Sequence, residues 1–122
     1  MKLLAGAVLA TLALACGRSD PPVRRYHTRG MVTQATSDRG ELSVAIHHER
    51  IDPFEDRDGK PSAMDSMQML FGVASDVPHA LFQQNAKLAF DFDVRWSQQP
   101  TLLIVKAEPL DAETPLVLKQ GH

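Results

Sequence analysis

Apolar and polar residues alternate with a period of two along several short stretches of the chain. Such alternation indicates β-strands with one buried face, because successive side chains of a strand point to opposite sides. The three clearest rows of same-face residues are Leu42, Val44, Ile46 and His48; Met67, Met69, Phe71 and Val73; and Leu88, Phe90, Phe92, Val94 and Trp96. A weaker strand containing Gly30 is predicted for residues 26–33, and an apolar, β-branched run at 101–107 predicts a fifth.

Only residues 78–84, which open with a proline, are compatible with a short helix. Five short strands and at most one helix predict an all-β fold. We expect a small five-stranded OB-like antiparallel barrel, because closure removes the exposed edges that a small open sheet would have. A small β-sandwich remains the alternative, since strand spacing alone does not distinguish the two.

The N-terminal residues are expected to lie outside this fold. Lys2 is followed by an uncharged apolar run, which is too short to cross a bilayer and has the length of a signal-peptide core. The run ends at the only cysteine, Cys16, and the preceding small residues resemble the lipobox of bacterial lipoproteins. The resemblance implies a signal peptide at 1–15 and lipidation of Cys16. The residues that follow include Gly, Ser, Asp and two prolines, which predicts a flexible tether at 16–24. Gly17, where an Asp would resemble an inner-membrane retention signal, favours the outer membrane.

The folded domain is expected to span 25–110, with a mobile tail at 111–122. The formal charge of the chain is −2, and removal of the signal peptide with Lys2 makes it −3. Because proteins that bind nucleic acid normally carry a basic surface, this charge argues against nucleic acid as a partner.

Three methionines, Met64, Met67 and Met69, lie within six residues. Met67 and Met69 share a strand face, and His48 ends the inward-facing row of another strand. Thioether and neutral imidazole suit Cu(I) and Ag(I) and are poor ligands for Mg²⁺ or Ca²⁺. The pattern indicates a Cu(I) site, with Ag(I) as a possible second ion. Packing of the methionines as core fillers is the alternative.

Met64 precedes Met67 by three residues, so on an unbroken strand it would face the opposite side. It can join the site only if it lies in a turn, which we expect at 60–63. Met64 is therefore predicted to be an additional, weaker ligand or a lid.

These residues resemble a known family. The segments 46–51 (IHHERI), 59–60 (GK) and 64–71 (MDSMQMLF), with an opening strand at 26–32 (YHTRGMV), are similar to the CusF-type periplasmic copper-binding proteins. The resemblance implies an OB-like barrel that holds Cu(I) or Ag(I) at one end, with His48, Met67 and Met69 as ligands. Met64 stands where well-known members have a tryptophan that covers the ion. Trp96 lies on another strand and does not take that role.

The resemblance to CusF-type proteins also implies a carrier or buffer for copper homeostasis that serves a metal efflux or copper-delivery protein. The lipobox-like residues add the expectation that it is lipid-anchored on the periplasmic side of the envelope. No phosphate loop, nucleophile elbow or pair of catalytic carboxylates is apparent, so an enzyme is not expected. The acidic residues at 52–58 are interpreted as a solvated loop and a candidate docking surface. The competing hypothesis is a metal-free OB-like adaptor that binds an envelope protein.

Overall fold

The computed structural model describes residues 21–119. The predicted signal peptide and lipidated Cys16 lie outside the described residues, so those predictions stay untested. The seven strands are β1 (Arg24–Asp38), β2 (Glu41–His48), β3 (Ile51–Glu55), β4 (Pro61–Met64), β5 (Met67–Val73), β6 (Lys87–Val94) and β7 (Leu102–Pro109). A single-turn 3₁₀ helix (His79–Leu81) lies within the predicted helical stretch.

Five of the strands form a closed barrel in the order β1-β2-β5-β7-β6, and β6 pairs with β1 to close it. This confirms the predicted all-β, five-stranded barrel. Four of its strand pairs are antiparallel, whereas β5 and β7 pair in parallel over two register positions. The parallel contact arises because β7 runs antiparallel to β6, the strand that precedes it in the chain, and thereby lies beside β5 with the same direction.

A two-stranded hairpin, β3–β4, is inserted between β2 and β5. The predicted loop at 52–58 is therefore wrong for residues 52–55, which lie in β3, and confirmed for residues 56–58 at the hairpin tip. The predicted turn at 60–63 is wrong, because β4 begins at Pro61. The register shifts between Ile51 and Phe54, so the two buried residues of β3 are three apart and the period of two is lost. At the tip, the Asp56 carboxylate accepts hydrogen bonds from the backbone N–H groups of Asp58 and Lys60, and Gly59 has a φ of +82°.

The predicted inward rows fill the barrel. Phe71, Phe90 and Phe92 are at most 1% exposed and meet at centroid distances of 5.2–6.0 Å. The ring of Phe71 stands nearly perpendicular to both others, the edge-to-face geometry that aromatic quadrupoles favour. Apolar side chains from all five barrel strands surround this cluster, so the core holds the strand ends in place around it.

The first strand is longer than predicted. A bulge between Val32 and Gln34 shifts its register with β2, and the pairing then continues through an exposed stretch to Asp38. The inward face of β1 carries Thr28, Gly30 and Val32, which are all buried. Gly30 is the Cα partner of His48 on β2 and of Leu88 on β6, so it lies beside the predicted site.

Residues 111–119 contain no strand, but hydrogen bonds join them to the barrel. The Lys87 ammonium donates to the carbonyl oxygens of Ala112 and Thr114, both at 2.7 Å. The predicted mobility of this tail stays a prediction, but its path along the barrel was not anticipated. In residues 21–119, no helix has the length and apolar character needed to span a bilayer.

Candidate metal centre

The predicted donors His48 and Met67 face each other across two paired strands. β2 ends at His48, β5 begins at Met67, and the two residues are direct Cα partners. Side chains of direct partners lie on the same face with Cβ atoms about 5 Å apart. Met69 is the partner of the fully buried Ile46, so it also points to the interior of the barrel. The register thus brings all three predicted donors to one end of one face.

Their exposure differs along this face. His48 is 0% exposed, Met69 is half-buried against the core, and Met67 is 40% exposed. The thioether of Met67 lies at the rim of the barrel, and the imidazole of His48 lies beneath it. The group of donors therefore has one side open to solvent and the other side within the barrel. An ion can reach such an arrangement through the rim without opening the core.

The proton on the His48 ring is assigned by its hydrogen bond. Nδ1 lies 2.7 Å from the carbonyl oxygen of Glu49. A carbonyl oxygen can only accept, so Nδ1 carries the proton and the Nε2 lone pair is free in the neutral ring. Nε2 is buried and has no hydrogen-bond partner among the described residues. A buried unpaired acceptor is costly, and ligation of a metal ion would satisfy it.

The surroundings of His48 keep the ring neutral. Burial lowers the pKa of His48 below its usual 6.5, and proximity to His47 lowers it further, although the hydrogen bond to Glu49 opposes both. The ring also meets the edge of Phe71 at a centroid distance of 6.4 Å. Because only neutral imidazole has a lone pair for a metal ion, a lowered pKa favours ligation at neutral pH.

Met64 does not lie in a turn. It is the last residue of β4, pairs with Ile51 and is half-buried against the core. Only Asp65 and Ser66 separate it from β5. Met64 therefore lies on the hairpin and not on a barrel strand. The expectation that it faces away from Met67 assumed one unbroken strand, so it does not apply. The structure does not assign Met64 a role as ligand.

Trp96 lies beyond the far end of β6 from the candidate site. Leu88, at the near end, shares the partner Gly30 with His48, whereas Val94 pairs with Arg24 at the start of β1. Val94 lies six residues along β6 from Leu88, a distance of about 20 Å. Trp96 instead lines a cavity of about 200 Å³ beside the hairpin tip. As expected from the sequence, it is not placed to cover an ion at His48.

The β3–β4 hairpin has a less negative surface than its acidic residues alone suggest, because arginines pair with two of them. Asp52 pairs with Arg50 at 3.3 Å, and Glu55 pairs with Arg24 at 3.1 Å. Within residues 21–119, no group of three or more His, Cys, Asp or Glu side chains is arranged to hold a metal ion.

Two residues next to the donors were missed by the sequence analysis. Glu49, directly after His48, accepts two hydrogen bonds from Arg29 at 2.9 and 2.7 Å, and this bidentate contact lowers the pKa of Glu49. Ser66, directly before Met67, is buried and accepts a hydrogen bond from the backbone of Lys119. Adjacency to the donors was the only sequence signal for either residue.

Solved structures of CusF share this fold. The chain is 18% identical to apo-CusF from Escherichia coli, with a TM-score of 0.50 over 77% of this chain and 96% of that one. For CusF-Ag(I) from Escherichia coli the identity is 20%, the TM-score is 0.47 and the coverages are 76% and 98%. A structure described as Ag(I)CusF is 16% identical, with a TM-score of 0.48 and coverages of 71% and 99%.

No protein-family model matches the chain, and no curated protein matches it significantly. At 18% identity, the likeness to apo-CusF establishes the fold alone.

Proposed function

We propose that this protein binds one Cu(I) or Ag(I) ion through His48 Nε2 and the thioether sulfurs of Met67 and Met69. The observation that carries the proposal is the buried Nε2, which has no hydrogen-bond partner within residues 21–119 and lies on the same sheet face as the two sulfurs. Two neutral sulfurs and one neutral nitrogen form a soft donor set that carries no charge, so a monovalent ion adds only a single charge to the site. The CusF-like fold and the CusF-like segments of the sequence support the same ion.

Met64 is proposed as an optional fourth ligand. Met64 lies on the hairpin three residues before Met67, the first residue of β5, so it is close in sequence to the rim that Met67 forms. A count of sulfur and nitrogen ligands by X-ray absorption of the Cu(I)-loaded protein distinguishes two sulfurs from three.

The cellular role that fits this site is that of a carrier or buffer without catalytic activity. A donor open to solvent on one side allows an ion to be passed to another protein, and we propose an efflux or copper-delivery protein as the recipient. The lipobox-like residues around Cys16 support attachment to the periplasmic side of the bacterial envelope, at the outer membrane.

Competition titration against a Cu(I) chelator under reducing conditions tests the proposal. We expect one Cu(I) per protein and a large loss of affinity in the double variant Met67→Leu, Met69→Leu. The matched control is Met31→Leu, because Met31 pairs with His47 on the outer face of the barrel and is half-buried like Met69.

Unchanged affinity in the double variant would place the site elsewhere. If the unsubstituted protein bound no Cu(I) but was recovered with a specific envelope protein, the adaptor hypothesis would replace this one.

A further inference from the structure

The chain after β7 forms what we call the C-terminal strap, residues 111–119. Lys87 holds its first part through the carbonyl oxygens of Ala112 and Thr114. Along its second part, Leu116 and Leu118 are half-buried whereas Val117 is 78% exposed. Alternate burial of this kind indicates an extended segment that lays one side against the barrel.

The end of the strap is attached on both sides of the candidate metal centre. The backbone N–H of Val117 donates to Glu49 Oε2 at 2.8 Å, next to His48. The backbone N–H of Lys119 donates to Ser66 Oγ at 2.8 Å, next to Met67. The Lys119 ammonium also pairs with Asp65 at 2.7 Å.

The positions of these hydrogen bonds indicate that the strap crosses from the end of β2 to the start of β5. Two residues of extended chain span about 6.6 Å, and neighbouring strands lie about 4.8 Å apart. The step from Val117 to Lys119 is therefore the right length to pass from the end of β2 to the start of β5. His48 and Met67 are the terminal residues of those two strands. The strap thus runs across the end of the barrel at which the donors lie.

Glu49 joins the strap to the donor histidine. Its carbonyl oxygen accepts the Nδ1–H of His48, which sets the tautomer that leaves Nε2 free. Its carboxylate is held by Arg29 and by the N–H of Val117. The side chain of Glu49 is only 16% exposed, so these contacts are partly shielded from water. A change in strap position therefore acts on the residue that orients the ring.

We propose that the C-terminal strap closes the metal site and that Glu49 is the positioning residue that couples strap docking to the orientation of His48. The proposal rests on the proposed function, namely that the ion binds at His48, Met67 and Met69. The docked strap covers part of the rim, leaving Met67 40% exposed, and slows exchange of the ion. Detachment of the strap exposes Met67 further and allows transfer to a recipient. If the strap only lay against the barrel without closing the site, its detachment would leave the rate of ion release unchanged.

The test removes the strap contacts made by Val117 and Lys119 and leaves every barrel residue unchanged. In the full chain, the double variant Val117→Pro, Lys119→Pro lacks both N–H donors and also the Lys119 ammonium that pairs with Asp65. The matched control is Ala112→Pro, in the same segment. Ala112 follows Asp111 in a turn closed by the Thr114 N–H, and proline favours that turn position. No hydrogen bond from the Ala112 N–H is recorded in residues 21–119.

The first readout is the rate at which the Cu(I)-loaded protein releases its ion to an excess of chelator. We expect the double variant to bind one Cu(I) but release it at least about tenfold faster, equivalent to about 1.4 kcal/mol in the barrier. The control should stay within about twofold of the unsubstituted protein, as is usual for surface changes. Equal release rates in the double variant and the control would overturn the closure.

The second readout uses the metal-free protein, so it does not depend on copper binding. Nitrogen-15 NMR of the imidazole reports the His48 tautomer and its Nδ1 hydrogen bond. The double variant should shift the His48 ring signals, and the control should not. Unchanged ring signals would overturn the coupling through Glu49. If the unsubstituted protein bound no Cu(I), the proposed function would fail, and a shift in the ring signals would still establish the link between strap and histidine.

Discussion

Gly30→Ala is expected to damage the barrel and the candidate metal centre together. A Cβ at this position would lie 2.6 Å from the carbonyl oxygen of His47, 2.6 Å from Ile46 Cγ2 and 3.0 Å from His48 Cα. The first two distances are about 0.8 Å shorter than ordinary contact. Because the carbonyl belongs to the backbone, no rotamer change relieves the clash, and β1 must move away from the end of β2.

Overpacking of this kind typically costs about 1–3 kcal/mol of unfolding free energy. For a domain of this size, that loss corresponds to a fall in Tm of about 5–20 °C. His48 lies on β2 directly opposite Gly30, so its ring should move relative to Met67 when β1 and the end of β2 are forced apart. Changes that misplace a metal ligand usually lower affinity by about 10–100-fold. We therefore expect weaker Cu(I) binding in addition to lower stability.

Urea unfolding of the metal-free protein and Cu(I) competition titration measure the two effects. The matched control is Gly72→Ala, in which the new Cβ would lie 2.5 Å from Cγ of Pro100. Gly72 is five residues along β5 from Met67, about 17 Å away. The control should lose stability yet keep its Cu(I) affinity within about twofold. If Gly30→Ala stayed within about 0.5 kcal/mol of the unsubstituted protein, the close packing of β1 against β2 would be refuted.

Three further predictions concern the pKa of His48, the aromatic cluster in the core and the outer face of β5. Burial lowers the pKa of His48, so as pH falls below about 6.5 the unfolded chain binds the proton first and the metal-free protein loses stability. In urea unfolding, the free energy of unfolding of His48→Gln should lack this part of the pH dependence. Equal slopes of that free energy against pH in the variant and the unsubstituted protein, between about pH 7 and pH 5, would contradict this prediction. Phe71→Ala should lower the unfolding free energy by about 3–5 kcal/mol, because Phe71 is 1% exposed and packs on Phe90 and Phe92. A loss below about 1 kcal/mol in urea unfolding would show that the aromatic cluster adapts to the cavity. Leu70→Ser should change stability by less than about 0.5 kcal/mol and leave Cu(I) titration unaltered, because Leu70 is 67% exposed. Weaker Cu(I) binding in this variant would show that the outer face of β5 contributes to the site.

The alternation of apolar residues by itself determined three of the five barrel strands, β2, β5 and β6, and their inward faces. This was possible because side-chain direction along a strand is a local property, set by residues two apart. The same parity placed His48, Met67 and Met69 on inward faces, and the thioether chemistry indicated a soft ion. Where the period is interrupted, as between Ile51 and Phe54, the local signal disappeared and the β3–β4 hairpin was not predicted.

Only the tertiary structure decided the register that sets His48 opposite Met67 and Ile46 opposite Met69. It also decided the burial of His48, the Glu49 carbonyl that assigns the tautomer, and the parallel contact of β5 with β7. The strap contacts of Glu49 and Ser66 join residues 68 and 53 positions apart. Such contacts depend on how distant segments meet in space, and no pattern within either segment encodes the partner. The sequence therefore determined which groups the site contains, whereas the fold determined their arrangement and what lies across them.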